Sequence, residues 1–264
     1  MKNIFKVLLG ALAFVACDPI DSRDEFVNTF DRDNIKLEAT QTTPGGNVIT
    51  LKLASKGITG YWDYLVGKAY SDEVTVIFPY EGKHTFTFNS TTPYVNESLQ
   101  DRDYPSETIE VEVTKIVEEP DSRFKLLTGD DFSGKTWIFD GVVNDGGVWW
   151  AMADPNNPGA IWWNAGGTGV APKDVNGRMT FDFKGGANYT YYESPEASAV
   201  KGTFIIGNNF SELSFPGEAN LLGARDNAAG PNSFKVLELT ESKLKVFAVV
   251  AGGTGWVWQF KPQE

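Results

Sequence analysis

Apolar and polar residues alternate with a period of two along most of the chain after residue 26, which predicts β-strands throughout. In the segment 48–53, Ile49, Leu51 and Leu53 share one face, and in the segment 179–184 Met179 and every second residue after it point inward. No convincing helical period occurs beyond residue 17. Further predicted strands lie at 35–39, 74–78, 84–88, 108–113, 135–139, 189–192, 202–206, 212–215, 234–239, 244–249 and 256–260.

Turn-forming glycine, proline and acidic residues separate these strands and divide them into two groups. Residues 26–117 hold six or seven short predicted strands, roughly what an immunoglobulin-like sandwich requires. Residues 118–122 contain one proline and are predicted to form a linker of limited flexibility. Residues 123–264 hold about eight predicted strands, which favours a larger antiparallel β-sandwich or jelly roll. The predicted fold class is therefore all-β with two domains.

The first 17 residues are predicted to be a targeting segment rather than part of the fold. Lys2 and Lys6 precede an apolar run, 7–16, that is too short to span a bilayer. The run ends at Cys17, the only cysteine of the chain. This arrangement resembles a bacterial lipoprotein signal, which implies lipidation of Cys17; the alternative is an ordinary secretory signal with an incidental cysteine.

The next segment, 18–25, is a short acidic stretch that we interpret as a tether. It resembles the acidic export signal that follows the lipidated cysteine in surface-exposed lipoproteins of Bacteroidota. That resemblance implies an outward-facing lipid anchor in the outer membrane, with the periplasmic face as the alternative.

Composition narrows the classes of function. The 264 residues carry a formal net charge of −12, which disfavours a phosphate-binding surface and therefore a nucleic-acid partner. One histidine and one cysteine leave little for a zinc site, a Cys–His pair or a Ser–His–Asp triad. The remaining distinctive features are 27 glycines and eight tryptophans.

A family resemblance lies in the first predicted domain. The pair Trp62-Asp63, followed by the hairpin sequence FPYEGKHTFTF at 78–88, resembles the PKD domain. The sequence departs from that family at 64–67, where Tyr-Leu-Val-Gly replaces the usual Phe-Gly-Asp-Gly. The resemblance implies a rigid spacer, with Trp62 in its core and His84 as a partly exposed strand residue.

Seven of the eight tryptophans lie in the second predicted domain, more than a β core of that size needs. Neighbouring strand residues face opposite sides of a sheet. The pairs Trp149-Trp150 and Trp162-Trp163 are therefore each expected to expose one ring. The surrounding sequence is rich in glycine and in polar residues such as Asp154 and Asn164.

Exposed indoles beside carboxylate and amide groups suit a glycan, because the apolar face of a sugar ring stacks on the indole while its hydroxyls bind polar side chains. The candidate carbohydrate-binding residues are Trp149, Trp150, Trp162, Trp163, Asp154 and Asn164. The alternative is that both pairs lie buried under long loops.

Other aromatic and polar residues are weaker candidates. Trp256 and Trp258 share a face with Phe260 and are expected in the core, with a binding role only if the Trp-Trp segments have none. Trp137 is likewise expected in the core. The segment 225–227, Arg-Asp-Asn, is either a clamp for sugar hydroxyls or a solvated turn.

The whole architecture resembles the surface glycan-binding lipoproteins of Bacteroidota polysaccharide utilisation systems. The resemblance rests on Cys17 with its acidic tail, the PKD-like stretch, and the runs 135–137, 162–165 and 237–244. It implies a non-catalytic protein that captures a polysaccharide, such as a β-glucan, for an outer-membrane transporter of the SusC/SusD-like type.

Two other functions remain open. A jelly-roll glycoside hydrolase would need two facing carboxylates, about 5–10 Å apart, and the acidic residues nearest the tryptophans, Asp145, Asp154 and Glu193, form no such motif. A structural or adhesive lipoprotein would bind a protein through a large flat apolar patch. No cofactor is expected; Asp154, Asn156 and the pair Asp130-Asp131 are weak candidates for a structural calcium site.

Overall fold

The computed structural model describes residues 35–64, 67–96, 101–217, 220–224 and 231–264. Cys17, the acidic tether and the segment 225–227 lie outside the described residues. Every paired strand in the sheets is antiparallel to its neighbours, and the predicted all-β class is confirmed. The strands form a group before residue 114 and a larger group after residue 134.

The first group contains nine strands arranged in small sheets. One sheet has the order β1-β2-β5, another the order β4-β3-β6-β9, and β7 pairs with β8. The strands are β1 (Leu37–Gln41), β2 (Val48–Leu53), β3 (Gly60–Asp63), β4 (Lys68–Ala69), β5 (Glu73–Ile77), β6 (Gly82–Ser90), β7 (Tyr94–Asn96), β8 (Asp101–Asp103) and β9 (Ser106–Val113).

Alternation places the core of this half as the sequence predicts. Ile49, Leu51 and Leu53 on β2 are buried, whereas the residues between them are more exposed. Trp62 on β3 is fully buried and meets the ring of Phe88 edge-on at 5.3 Å, so its predicted core position is confirmed.

His84 is buried, and the prediction of a partly exposed strand residue is wrong. On β6 it shares the inward face with Phe86 and Phe88. Its ring centroid lies 4.0 Å from that of Phe78, and its Nε2–H donates to the carbonyl of Tyr80 at 3.1 Å. Burial lowers the pKa of His84, and the bond to Tyr80 only partly offsets that effect.

This burial predicts a pH-dependent stability. The unfolded chain takes up a proton near the ordinary histidine pKa of 6.5, whereas folded His84 takes it up only at lower pH. The free energy of unfolding should therefore be greatest above pH 6.5 and fall as the pH drops from 6.5 towards 5. His84→Phe keeps the ring packing and should flatten the pH dependence in this window.

Chemical denaturation of both proteins at intervals between pH 5 and pH 8 measures the effect. Among the described residues, the carboxyl groups whose pKa is lowered in the folded protein are Glu119, Asp121, Asp131 and Asp145. They titrate below this window and contribute equally to both proteins. Parallel curves for the two proteins would contradict the prediction.

The second group opens with a short helix, α1 (Arg123–Thr128), which the sequence pattern did not predict. Eleven strands follow it in a single sheet. They are β10 (Lys135–Phe139), β11 (Trp150–Asp154), β12 (Asn157–Asn164), β13 (Arg178–Asp182), β14 (Asn188–Tyr192), β15 (Val200–Thr203), β16 (Ile205–Ile206), β17 (Glu212–Ser214), β18 (Ser233–Leu239), β19 (Leu244–Val249) and β20 (Gly255–Pro262).

This sheet curls into a nearly closed barrel. Its hydrogen-bonded order runs β15-β14-β13-β10-β20-β19-β18-β17-β16, with β11 and β12 as a side branch. The two end strands, β15 and β16, are separated in the chain only by Phe204. The sheet must therefore bend until its two ends meet, which removes the exposed edges that open sheets present.

Side chains fill the barrel. Met179 and Phe181 on β13 and Tyr189 on β14 are fully buried, as the period of two predicts. Ring contacts run across the interior from Phe181 to Phe215 at 6.1 Å. Because buried side chains occupy the interior of this barrel, the candidate ligand sites lie on its outside or on its loops.

Helix α1 lies against one end of the barrel. The indole Nε1 of Trp137 donates to the carbonyl of Leu127 at 3.0 Å, and the ring of Phe124 meets that of Phe183 at 5.3 Å. Phe183 also stacks on Tyr80 of the first group, with centroids 5.1 Å apart and planes inclined by 19°. Aromatic packing thus joins the two groups of strands beside the linker.

Candidate functional site

The predicted carbohydrate-binding residues lie on or next to one hairpin. Strands β11 and β12 pair with each other, and β11 also pairs with the first half of β20. The sequence analysis predicted neither strand, because glycine, proline and asparagine interrupt the alternation here. The hairpin is a branch of the barrel sheet and carries Trp150, Asp154, Trp162, Trp163 and Asn164.

Trp162 is the extra residue of a β-bulge. Met152 pairs with Trp163, and Ala153 pairs with Ile161, so two residues of β12 span the step that one residue of β11 makes. A bulge leaves the extra residue unpaired and redirects its side chain. Trp162 is 57% exposed, and this is the exposed ring that the sequence analysis expected from the second Trp-Trp pair.

Trp163, its neighbour, is half-buried and packs against the core. Its ring lies 5.5 Å from that of Trp150 and 6.2 Å from that of Trp256. Trp150 and Trp256 are themselves 4.8 Å apart. This indole cluster packs against the inner side of β12 and stabilises the backbone from which Trp162 projects.

The first Trp-Trp pair was expected to have one exposed and one buried ring, and it does not. Trp149 and Trp150 are both buried, so the prediction that one of their rings is exposed is wrong. Trp149 precedes β11 and is not part of the strand, so the rule of opposite faces does not apply to it. Its ring meets Phe139 at 5.1 Å, and its Nε1 donates to the carbonyl of Val142 at 3.1 Å.

Asp154 and Asn164 lie at the ends of their strands and hold turns. Oδ1 of Asp154 accepts a hydrogen bond from the backbone N–H of Asn156 at 2.8 Å. Oδ1 of Asn164 accepts one from Gly167 at 2.6 Å and caps a 3₁₀ turn. Each side chain is half-buried and has a second polar group, a carboxylate oxygen or an amide NH₂, of the type that binds sugar hydroxyls.

Trp137, Trp256 and Trp258 are buried, and their predicted core positions are confirmed. The opposite face of β20 is buried too, because Val257 packs with Ala153 and Phe247. Within the described residues, the indole N–H groups of Trp150 and Trp258 have no hydrogen-bond partner.

A polar cleft that the sequence did not reveal lies elsewhere on the barrel. It encloses about 680 Å³, and Asp145, Glu196, Lys261 and Gln263 contribute to its lining. Backbone N–H groups of Val142 and Gly147 lower the pKa of Asp145, which is thereby fixed as an anion. These residues are far apart in the sequence, so no local pattern could have connected them.

The candidate calcium ligands form turns. Oδ1 of Asp131 accepts from the backbone N–H of Ser133 at 2.9 Å, in the same manner as Asp154 with Asn156. Among the residues that the structure describes, no group of three or more His, Cys, Asp or Glu side chains is placed to hold a metal ion. In the same part of the chain, no helix has the length and apolar character needed to cross a membrane.

No protein-family model matches this chain, and a search of curated proteins finds no significant match.

Proposed function

We propose that the protein is a non-catalytic, lipid-anchored surface protein that captures a polysaccharide on the β11–β12 hairpin. The observation that carries this proposal is the exposure of Trp162 on a bulge that a cluster of indoles supports from behind. A large aromatic ring is costly to leave in water, and placing it on a redirected strand position is typical of a contact surface.

The chemistry around Trp162 suits a sugar. One face of a pyranose ring carries only C–H groups and stacks on a flat indole, while the hydroxyls at its rim require hydrogen-bond partners. Asn164 follows Trp162 by two residues on β12, and Asp154 ends the paired strand. Both side chains are held in turns, so little conformational entropy is lost when a ligand binds.

The proposed anchor is acylated Cys17, which lies outside the described residues. A diacylglycerol with a further amide-linked chain gives stable membrane attachment, unlike a single acyl chain. The support is the sequence resemblance to lipoprotein signals and to the acidic tether of surface-exposed lipoproteins. On this proposal the hairpin faces the exterior and delivers glycans to a transporter of the SusC/SusD-like type.

Trp162→Ala should strongly weaken polysaccharide binding while the protein stays folded. One stacked ring contributes about 1–3 kcal/mol by analogy with base–aromatic stacking. An exposed site with a dissociation constant between roughly millimolar and micromolar loses a large part of its binding free energy with that ring. Affinity electrophoresis through gels containing β-glucans, measured with melting temperatures, tests the change. Trp162→Phe should retain part of the retardation.

Tyr104→Ala is the matched control, because Tyr104 is 55% exposed and lies between β8 and β9, away from the β11–β12 hairpin in the chain. If Trp162→Ala were retarded as strongly as the wild-type protein, the proposed binding role of Trp162 would be wrong. Release of reducing sugar from the glucans by the wild-type protein would favour the hydrolase alternative. Absence of binding to every glycan would leave a protein partner, as in an adhesive lipoprotein, as the better hypothesis.

A further inference from the structure

A groove of about 450 Å³ lies where the two groups of strands meet. Its first wall consists of Asp63 at the end of β3, Gly67 directly before β4, Lys68 at the start of β4, and Tyr70 directly after β4. Its second wall is the hairpin formed by β16 and β17, which contributes Ile205, Glu212 and Ser214. We refer to this space as the junction groove.

The first wall carries the exposed ring of Tyr70, which packs on the half-buried ring of Tyr61. Tyr70 is 76% exposed, the highest exposure among the large hydrophobic residues described. Its ring centroid lies 5.2 Å from that of Tyr61, with the planes inclined by 38°. The ammonium group of Lys68 lies 5.3 Å from the Tyr61 centroid and 3.6 Å from Oδ2 of Asp63. These contacts hold the rings in place at the edge of the groove.

The second wall carries polar groups beside Ile205. Glu212 is exposed and accepts a hydrogen bond from the hydroxyl of Ser233, which fixes its carboxylate beside Ser214 on the same strand. The groove therefore combines a flat aromatic surface with carboxylate acceptors, hydroxyls and one ammonium donor. Two carboxylates against one ammonium give the lining a net negative charge.

We propose that the junction groove is a second glycan-binding site, which selects neutral sugar chains over acidic ones. The ligand class rests on the proposed function, whereas the location rests on the groove itself. Tyr70 stacks on a sugar ring, and Asp63 and Glu212 accept hydrogen bonds from its hydroxyls. Uronic acids and sulfated sugars are disfavoured because their negative charge would face the carboxylate of Glu212 in a lining of net negative charge. The first half of the chain then binds ligand as well as acting as a spacer.

Fluorine NMR on the purified protein labelled with 3-fluorotyrosine tests the site directly. Tyr70→Phe and Tyr104→Phe assign the two relevant resonances. Laminarihexaose, cellohexaose and mannohexaose serve as neutral probes, and hexagalacturonate serves as the acidic probe. We expect at least one neutral probe to shift the Tyr70 resonance in a saturable manner, to leave Tyr104 unmoved, and to shift Tyr70 equally in Trp162→Ala. Glu212→Ala should raise the midpoint of that titration about tenfold.

The possible results distinguish glycan binding in the junction groove from glycan binding at Trp162 on the β11–β12 hairpin. If the Tyr70 resonance does not shift but gel retardation depends on Trp162, the junction groove is not a glycan-binding site. The proposed function is then unaffected. If the Tyr70 resonance shifts in a saturable manner and gel retardation does not depend on Trp162, the groove is supported as a binding site. The proposed binding role of Trp162 is then wrong. An equal response to hexagalacturonate would overturn the selectivity, and no response by either method would overturn both sites.

Discussion

Replacing Trp149 with alanine is expected to lower the free energy of unfolding by about 3–5 kcal/mol, the usual cost of removing a large aromatic ring from a core. Trp149 is fully buried against Phe139, and its indole N–H bonds the carbonyl of Val142. A Cβ built on Gly141 would lie 2.1 Å from Cδ1 of Trp149, so the backbone closes tightly over the ring. Urea denaturation monitored by circular dichroism measures the change.

Two further variants separate the contributions of apolar volume, of the indole hydrogen bond and of burial to this loss of stability. Trp149→Phe keeps much of the apolar volume and loses the bond to Val142, so it should cost less than the alanine variant. Trp162→Ala removes the same side chain from an exposed position and should change stability by about 0.5 kcal/mol or less. Equal stabilities for Trp149→Ala and Trp162→Ala would contradict the assignment of one ring to the core and the other to the surface.

The two tryptophan pairs show how far the sequence rule reaches. Opposite orientation of neighbouring residues holds only inside a regular strand. Trp149 lies just before β11, and the chain there turns its side chain inward beside that of Trp150. Trp162 and Trp163 do point differently, but the cause includes a bulge that only the pairing of β12 with β11 creates. Pairing registers depend on distant segments, which a local pattern does not contain.

Alternation succeeded where strands are long and regular. It placed Met179 and Phe181 inside the barrel, and Trp256 and Trp258 in the core. The same rule would have placed His84 inside, since it shares parity with Phe86 and Phe88, but the polarity of an imidazole favoured exposure. A backbone carbonyl at 3.1 Å satisfies that polarity in the folded protein.

Other features arise only from closure of the sheet. The junction groove needs strands that are more than 100 residues apart in the chain, and neither wall has a sequence signature of its own. The packing of Tyr80 on Phe183 likewise joins two distant segments, and it limits how far the first group of strands can turn against the barrel. A predicted spacer thus becomes one wall of a candidate binding site.

Asp174→Ala is expected to lower the free energy of unfolding by about 2–6 kcal/mol, because the loss of a buried acceptor costs about 1–3 kcal/mol for each of the two donors that it leaves without a partner. Asp174 is only 4% exposed. Its Oδ2 accepts from the hydroxyl of Tyr191 at 2.8 Å, and both of its oxygens accept from the backbone N–H of Gly223 at 2.9 Å. Gly223 has a φ of +74° in a loop that packs on Phe139 and Trp150, so the carboxylate ties that loop to the barrel wall.

A double-mutant cycle with Tyr191→Phe isolates the side-chain bond. If the carboxylate holds the Tyr191 hydroxyl, Tyr191→Phe should cost less in the Asp174→Ala background than in the wild type, and the coupling should exceed about 0.5 kcal/mol. Asp174→Asn keeps one acceptor oxygen in nearly the same shape and should lose less stability than the alanine variant. Additive effects of the two substitutions, or equal losses for alanine and asparagine, would show that the carboxylate does not hold this loop.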